Sequence, residues 1–271
     1  MMRSSVKKKA LLMSSLYVAA LTTMGCGGGD EEPMGGGTNP PGQTIVVEGS
    51  ARPISADPLS VVFVAHTSTH TAPAFQTIAS AKFPEALQKT TAEGAYAEIG
   101  VNTGSLITLN SGKIVDVVGN DDYAIGRWTD GSTSFGTVGP NQGDHYAIGR
   151  PLFIHRVMEP RSISCALDAA TRPTSVRGTY PPGDVLGASA TIGVNGPVID
   201  KFDLRVRIGN DTEVHATAIY ALLNGVMQSQ GFLRQTQTFG TDESKPYLAV
   251  GYVIPTPNSG DVAGLVVLKC G

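Results

Sequence analysis

Lys201-Phe-Asp-Leu-Arg-Val-Arg-Ile208, then Gly209-Asn210-Asp211, then Thr212-Glu-Val-His-Ala-Thr-Ala-Ile219, is the stretch that decides the fold. Phe202, Leu204, Val206 and Ile208 alternate with Lys201, Asp203, Arg205 and Arg207. That is the period of a strand with one buried and one wet face. The Gly-Asn-Asp cluster turns the chain, and 212–219 returns antiparallel. With Ile208 opposite Thr212, Val206 meets Val214 and Leu204 meets Ala216 on the buried face. Outside, Arg207 meets Glu213 and Arg205 meets His215. A slip of one residue would set Val206 against His215, so apolar pattern and charge select one register.

The same signals recur on both sides of this hairpin. Residues 186–194 read as a strand and Asn195-Gly196 as a hairpin turn that pairs Ile192 with Ile199. Continued without interruption, that pairing would set Ala190 against Lys201. It therefore calls for either a bulge near Asp200 or a longer turn. Residues 231–239, 247–254 and 262–269 read as later strands. Upstream, 43–48, 59–65, 95–101, 106–109 and 113–118 read as strands, with Ser111-Gly112 as the turn between the last two. Pro84-Glu-Ala-Leu-Gln-Lys89 reads as a short helix with Pro in its first position. A near-repeat lies in the middle: Asp122-Tyr-Ala-Ile-Gly-Arg-Trp128 and His145-Tyr-Ala-Ile-Gly-Arg-Pro151. Counted from Val115, eight or nine strands fit, the number that closes a small barrel filled by its own side chains. The predicted fold is all-β: an antiparallel eight-stranded barrel-like domain over 115–271, preceded by a β-rich lead-in over 44–114.

Composition narrows the partners. The 271-residue chain carries a net charge of −3 spread without basic runs, so it offers no Lys/Arg footprint for nucleic acid. It has a single Trp and few aromatics, too few for the interfacial girdles of a transmembrane barrel.

The first nine residues carry Arg3, Lys7, Lys8 and Lys9. Residues 10–24 are mostly apolar but short for a bilayer span. Thr23-Met24-Gly25-Cys26 follows. This resembles a bacterial lipoprotein signal, although Thr23 stands where that family most often has Leu. The resemblance implies cleavage after residue 25 and acylation of Cys26. Gly27 after the cysteine implies outer-membrane sorting, with the domain facing the periplasm or the surface. An ordinary cleaved secretory signal is the competing reading. Residues 26–43 are rich in Gly and Pro, cannot bury apolar area, and read as a disordered tether.

A second resemblance rests on an ordered set of motifs. These are Gly126-Arg127-Trp128, His145-Tyr146-x-x-Gly149-x-Pro151, Thr171-x-Pro173-Thr174, Gly187-Ala-Ser-Ala-Thr191 and Ala263-Gly-Leu-Val-Val-Leu-Lys269. Together they resemble the β-rich C-terminal region of FecR-domain-containing exported proteins and, more loosely, the barrel of transferrin-binding-protein-like surface lipoproteins. The resemblance covers about 115–271 and implies an eight-stranded antiparallel barrel. By analogy it also offers an accessory role in iron-uptake regulation, although the chain shows no upstream regulatory domain.

Little in the sequence points to catalysis. It contains no G-x-S-x-G, H-E-x-x-H, C-x-x-C or phosphate loop, and no enzyme activity, metal or cofactor is expected. His66 and His70 lie in a Thr/Ser/Pro loop that opposes a shared helical face, and read as solvent-exposed loop residues. His145 and His155 flank the second repeat, with Asp144 adjoining, and read as structural groups. Tyr123, Trp128 and Tyr146 are candidates to line a ligand site; aromatic packing inside or at the rim of the barrel is the alternative. Once Cys26 is acylated, Cys165 and Cys270 remain. Export to an oxidising compartment predicts that they bond and fasten the last strand. The expected role is binding or scaffolding at the envelope, with an envelope protein or a small molecule as partner. A lipocalin-like carrier is the rival and would need an open lumen.

Overall fold

A computed structural model describes residues 44–271. The leader 1–25, Cys26 and the 26–43 tether lie outside the described residues. The chain is all-β and forms two curled antiparallel sheets.

The first sheet uses β1 (Ile45–Gly49), β2 (Leu59–Val64), β3 (Ile78–Phe83), β4 (Lys89–Thr90), β5 (Tyr96–Asn102), β6 (Ser105–Gly119), β7 (Tyr123–Thr133), β8 (Gly136–Val138) and β9 (Asp144–Gly149). Its order is β3-β2-β9-β7-β6-β5-β4; β1 joins β6 in parallel and β8 joins β7. The second sheet uses β10 (Ser162–Ala170), β11 (Thr174–Ser175), β12 (Asp184–Gly193), β13 (Val198–Ile208), β14 (Asp211–Leu222), β15 (Gly225–Ser229), β16 (Phe232–Phe239), β17 (Tyr247–Thr256) and β18 (Gly260–Cys270). Eight of these run in the order β14-β13-β12-β10-β18-β17-β16-β15. The two outermost strands, β14 and β15, follow one another in sequence, so the sheet curls until its edges meet at one turn. The Gln230 side chain spans that seam. Its amide takes both edge groups of Ile219, donating to the carbonyl at 2.7 Å and accepting from the N–H at 2.9 Å. A side-chain amide thus stands in for a neighbouring strand and blunts an open edge.

Each sheet wraps its own core. The second sheet encloses Phe202, Leu204, Val206, Tyr252, Val266 and Leu268, and the first encloses Phe63, Tyr96, Ile99, Ile114, Trp128 and Tyr146. A third core joins the two sheets back to back and includes Val62, Ile125, Leu233, Phe239, Ala249 and Leu265. β16, β17 and β18 are therefore covered on both faces. That accounts for the near-continuous apolar runs of β17 and β18, where the hairpin β13–β14 alternates.

The register of that hairpin is as predicted through its middle: Leu204 faces Ala216, Arg205 faces His215 and Val206 faces Val214. Its end differs, because Ile208 pairs with Asp211 rather than Thr212. The Asp211 carboxylate accepts from the Asn258 backbone at 3.2 Å and from its amide at 2.8 Å, which draws Asp211 into the strand. Arg207 pairs with Asp184 of β12 at 2.6 Å, and Glu213 is shared by His215 at 2.8 Å and Arg205 at 3.4 Å. In the preceding hairpin Ile192 faces Ile199, but Thr191 faces Lys201 and Ala190 faces Phe202. A bulge at Asp200 therefore resolves the sequence-level conflict.

Three other expectations change. Ser111-Gly112 is not a hairpin turn but an irregularity inside one 15-residue strand. Gly112 has φ +118°, and its Cα position lies so close to Gly131 that an added Cβ would fall 2.6 Å from it. The strand continues because β1, β5 and β7 occupy its edges. The helix expected over 84–89 is a single 3-10 turn, Glu85–Leu87. β6 also runs through residue 115, so the change from one sheet to the next falls between β9 and β10.

Candidate functional site at the junction of the two sheets

The near-repeat forms adjacent strands, β7 and β9, and the copies cross antiparallel. Tyr123 faces Gly149 and Gly126 faces Tyr146. Within Tyr-x-x-Gly the tyrosine and glycine lie on opposite faces, since their spacing is odd. Each glycine makes room for a ring. A Cβ at Gly126 would sit 2.3 Å from the Tyr146 hydroxyl, and one at Gly149 would sit 2.5 Å from Phe239. Tyr252 covers Gly264 in the second sheet in the same manner, again at 2.3 Å. Tyr146 accepts from the Tyr96 N–H at 3.0 Å, Trp128 donates to the Tyr96 carbonyl at 2.8 Å, and the ring pairs Tyr96–Tyr146 and Phe63–Trp128 pack edge to face. Tyr123 lies on the other face and donates to Asp168 at 2.5 Å beside Tyr247. The three candidate aromatics are thus divided between two buried cores and share no site.

The interface face of β7 and β9 carries a buried polar cluster. Arg127 Nε donates to Asp116 at 2.7 Å. The same carboxylate oxygen accepts from the Arg172 backbone N–H at 3.0 Å, so one acid ties β6, β7 and the loop after β10 together. Asp116 reaches this position from an irregular point of β6, with φ +59°. His145 is sealed from solvent, and its nitrogens meet the hydroxyls of Thr171 at 2.7 Å and Thr174 at 2.9 Å. Burial, and then the Arg127 charge, hold its pKa well below the ordinary histidine value. Gln142 and Asn141 grip the same loop through the carbonyls of Val176 and Gly178. Gly143 is required here, because a Cβ would fall 2.5 Å from Arg127 Cδ.

Three more histidines use one device. His66 donates from its backbone N–H and meets with Nδ1 the carboxylate of Asp144, at 2.7 and 2.8 Å. His70 does the same with Asp261 at 3.0 and 2.8 Å, and His155 with Glu243 at 2.7 and 2.8 Å. His66 is buried and His70 half-buried. This corrects the reading of both as solvent-exposed loop residues: carboxylates from β9 and β18, far along the chain, hold them. Each pair resembles the orienting half of a catalytic triad. Among the described residues, however, no hydroxyl or thiol hydrogen-bonds to the remaining nitrogen of these three rings, and no group of three His, Cys, Asp or Glu side chains could share a metal ion.

Cys165 and Cys270 face one another on β10 and β18 and form a disulfide across 105 residues. Cys26 lies outside the described residues. On the outer face of β12–β14 a shallow depression of about 400 Å³ has a floor at Gly187–Ser189 and a rim that includes Lys201, Asp203, Arg205, His215 and Thr217. No family model matches the chain, and neither the curated proteins nor the solved structures contain a match.

Proposed function

We propose that this chain is an exported envelope lipoprotein, anchored in the outer membrane through Cys26, whose folded unit binds an envelope partner through its outer surface. The observation that carries the surface reading is the filled interior of the second sheet, where Phe202, Leu204, Tyr252 and Leu268 meet. A lipocalin-like carrier needs an open lumen there. The depression over Gly187–Ser189 supplies the contact face: it is polar, carries both charge signs, and is built on paired strands rather than on loops. An accessory role in iron-uptake regulation rests on the family resemblance alone.

The test has two parts. An alkynyl palmitate analogue fed to the native host labels wild type and leaves Cys26→Ser unlabelled. A photo-crosslinking residue at Ser189 forms adducts with an envelope protein, and these disappear in Lys201→Glu/Arg205→Glu. Unlabelled wild type refutes the anchor. A native mass carrying a lumen-sized cargo, with no Ser189 adduct, refutes the surface reading.

A further inference from the structure

One buried charge has no counter-charge. Arg234 on β16 points into the second sheet and is 1% exposed. It stacks on Phe232 at 4.3 Å. Nη1 donates to the Ser229 carbonyl at 3.1 Å, and Nη2 to the Ser229 hydroxyl at 2.7 Å and to the Met227 sulfur at 3.2 Å. Nε has no partner. Among the described residues no carboxylate pairs with this guanidinium, and desolvation alone shifts its pKa, downward. A buried cation is destabilising unless a partner offsets it. A neutral residue of this volume would suit the apolar core better.

The unpaired Nε and the Nη2 that meets the Met227 sulfur share one edge. Nε and Nη2 lie on the same side of a guanidinium, in the fork that takes both oxygens of a carboxylate. Here that edge meets only a thioether, a weak acceptor on a flexible side chain. The cover is also thin. Met227 and Ser229 belong to the five-residue edge strand β15, where every residue is at least partly exposed. β15 has no backbone ladder to β14; the Gln230 amide bridges them instead. Large apolar side chains stand exposed along this seam: Ile219, Tyr220, Leu222 and Val226.

We infer that the Nε/Nη2 edge of Arg234 is the recognition point for a small monocarboxylate with an apolar tail, which enters at the β14–β15 seam and displaces Met227. The carboxylate supplies the missing counter-charge, and the tail covers the exposed apolar residues of the seam. This site is separate from the outer depression and does not depend on Cys26.

The compact unit Gly42–Gly271 contains all three cores and the disulfide, so it is the form to titrate. Hexanoate is compared with acetate, which lacks the tail, and with hexanol, which lacks the charge. Calorimetry and the Arg234 Nε–H resonance are the readouts. Hexanoate is expected to bind saturably and shift that resonance, while hexanol binds at least roughly tenfold more weakly, the size of a lost charged hydrogen bond, and acetate at least roughly tenfold more weakly for want of its buried methylenes. Arg234→Met is expected to abolish hexanoate binding while melting, without ligand, at or above the wild-type temperature. Met227→Ala, which keeps the arginine and opens its cover, is expected to tighten binding. A resonance unmoved by hexanoate overturns the proposal. So does an Arg234→Met variant that binds hexanoate as wild type does. If Arg234→Met fails to fold, the Met227→Ala titration decides: unchanged or weaker hexanoate binding overturns it.

Discussion

Reduction of the Cys165–Cys270 bond tests how the two sheets share stability. The bond joins facing residues of β10 and β18 and closes a loop of 105 residues that holds nearly all of the second sheet. Loop-closure entropy for that length gives about 4–5 kcal/mol of stabilisation at 25 °C. For a folded unit of this size each kcal/mol moves the melting point by roughly 2–4 °C, so reduction should lower it by roughly 8–20 °C. Both sulfurs are buried, so the reductant acts during a cycle of unfolding and refolding. Urea unfolding is then followed by circular dichroism for the whole fold and by fluorescence of Trp128 for the first sheet. Trp128 is the only tryptophan and lies in the core remote from the disulfide. Because a third apolar core joins the sheets, both probes should shift together. The slope with urea should rise as well, since the unlinked chain unfolds to a more exposed state. A shift under about 1 kcal/mol refutes the loop-closure estimate. A Trp128 transition that stays in place while the dichroism becomes biphasic refutes the shared core.

Gly126→Ala and Gly264→Ala each force a Cβ to 2.3 Å from a tyrosine oxygen; each should cost roughly 1–3 kcal/mol of overpacking, read from urea midpoints. The folded His145 ring has a pKa well below 6.5, so the unfolded state binds more protons in acid. Its contribution is complete above the unfolded pKa and falls as pH drops through about 6.5, by about 1.4 kcal/mol per unit while the folded ring stays neutral. His145→Gln should flatten that part of the stability–pH curve, and an unchanged slope would count against the assignment. Gln230→Ala uncovers the backbone of Ile219 and should produce concentration-dependent association in sedimentation velocity; a variant that stays monomeric shows that the seam needs no plug.

Much of the second sheet was legible because its signals are local. Residues 201–208 of β13 alternate without a fault, and a slip of one residue would have buried a histidine. The conflict between the Asn195-Gly196 turn and the charge of Lys201 called for either a bulge near Asp200 or a longer turn, and the pairing of Thr191 with Lys201 makes it the bulge. The end of that hairpin was not legible, because Asn258, nearly fifty residues on, draws Asp211 into the strand. β6 was read as two strands because Ser-Gly is a good local turn. What keeps it straight is three partner strands from elsewhere, and strand behaviour depends on neighbours more than on intrinsic preference. β16 is the hardest case: Arg234, Gln235, Thr236, Gln237 and Thr238 spell a wet surface, yet all are buried between two layers.

The polar interior escaped sequence reading for a related reason. His66 finds its carboxylate 78 residues away and His70 finds one 191 residues away. The sequence shows two histidines four apart in a Thr/Ser/Pro loop, which read as solvent-exposed. The fold instead sends one ring to the first sheet and the other to the second. The near-repeat misleads in the opposite direction, since two copies of Tyr-Ala-Ile-Gly look like two halves of one binding site. Antiparallel pairing sets each tyrosine opposite the other copy's glycine, where Tyr146 fills the space at Gly126 and Phe239 fills that at Gly149, and the odd spacing sends Tyr123 and Tyr146 to different cores. A glycine three residues after an aromatic, on a strand that pairs with its own repeat, is therefore a packing signal. Arg234 has no such neighbour in sequence or in space. Among the described residues it is a buried charge without a counter-charge, and it is where a ligand would leave the clearest trace.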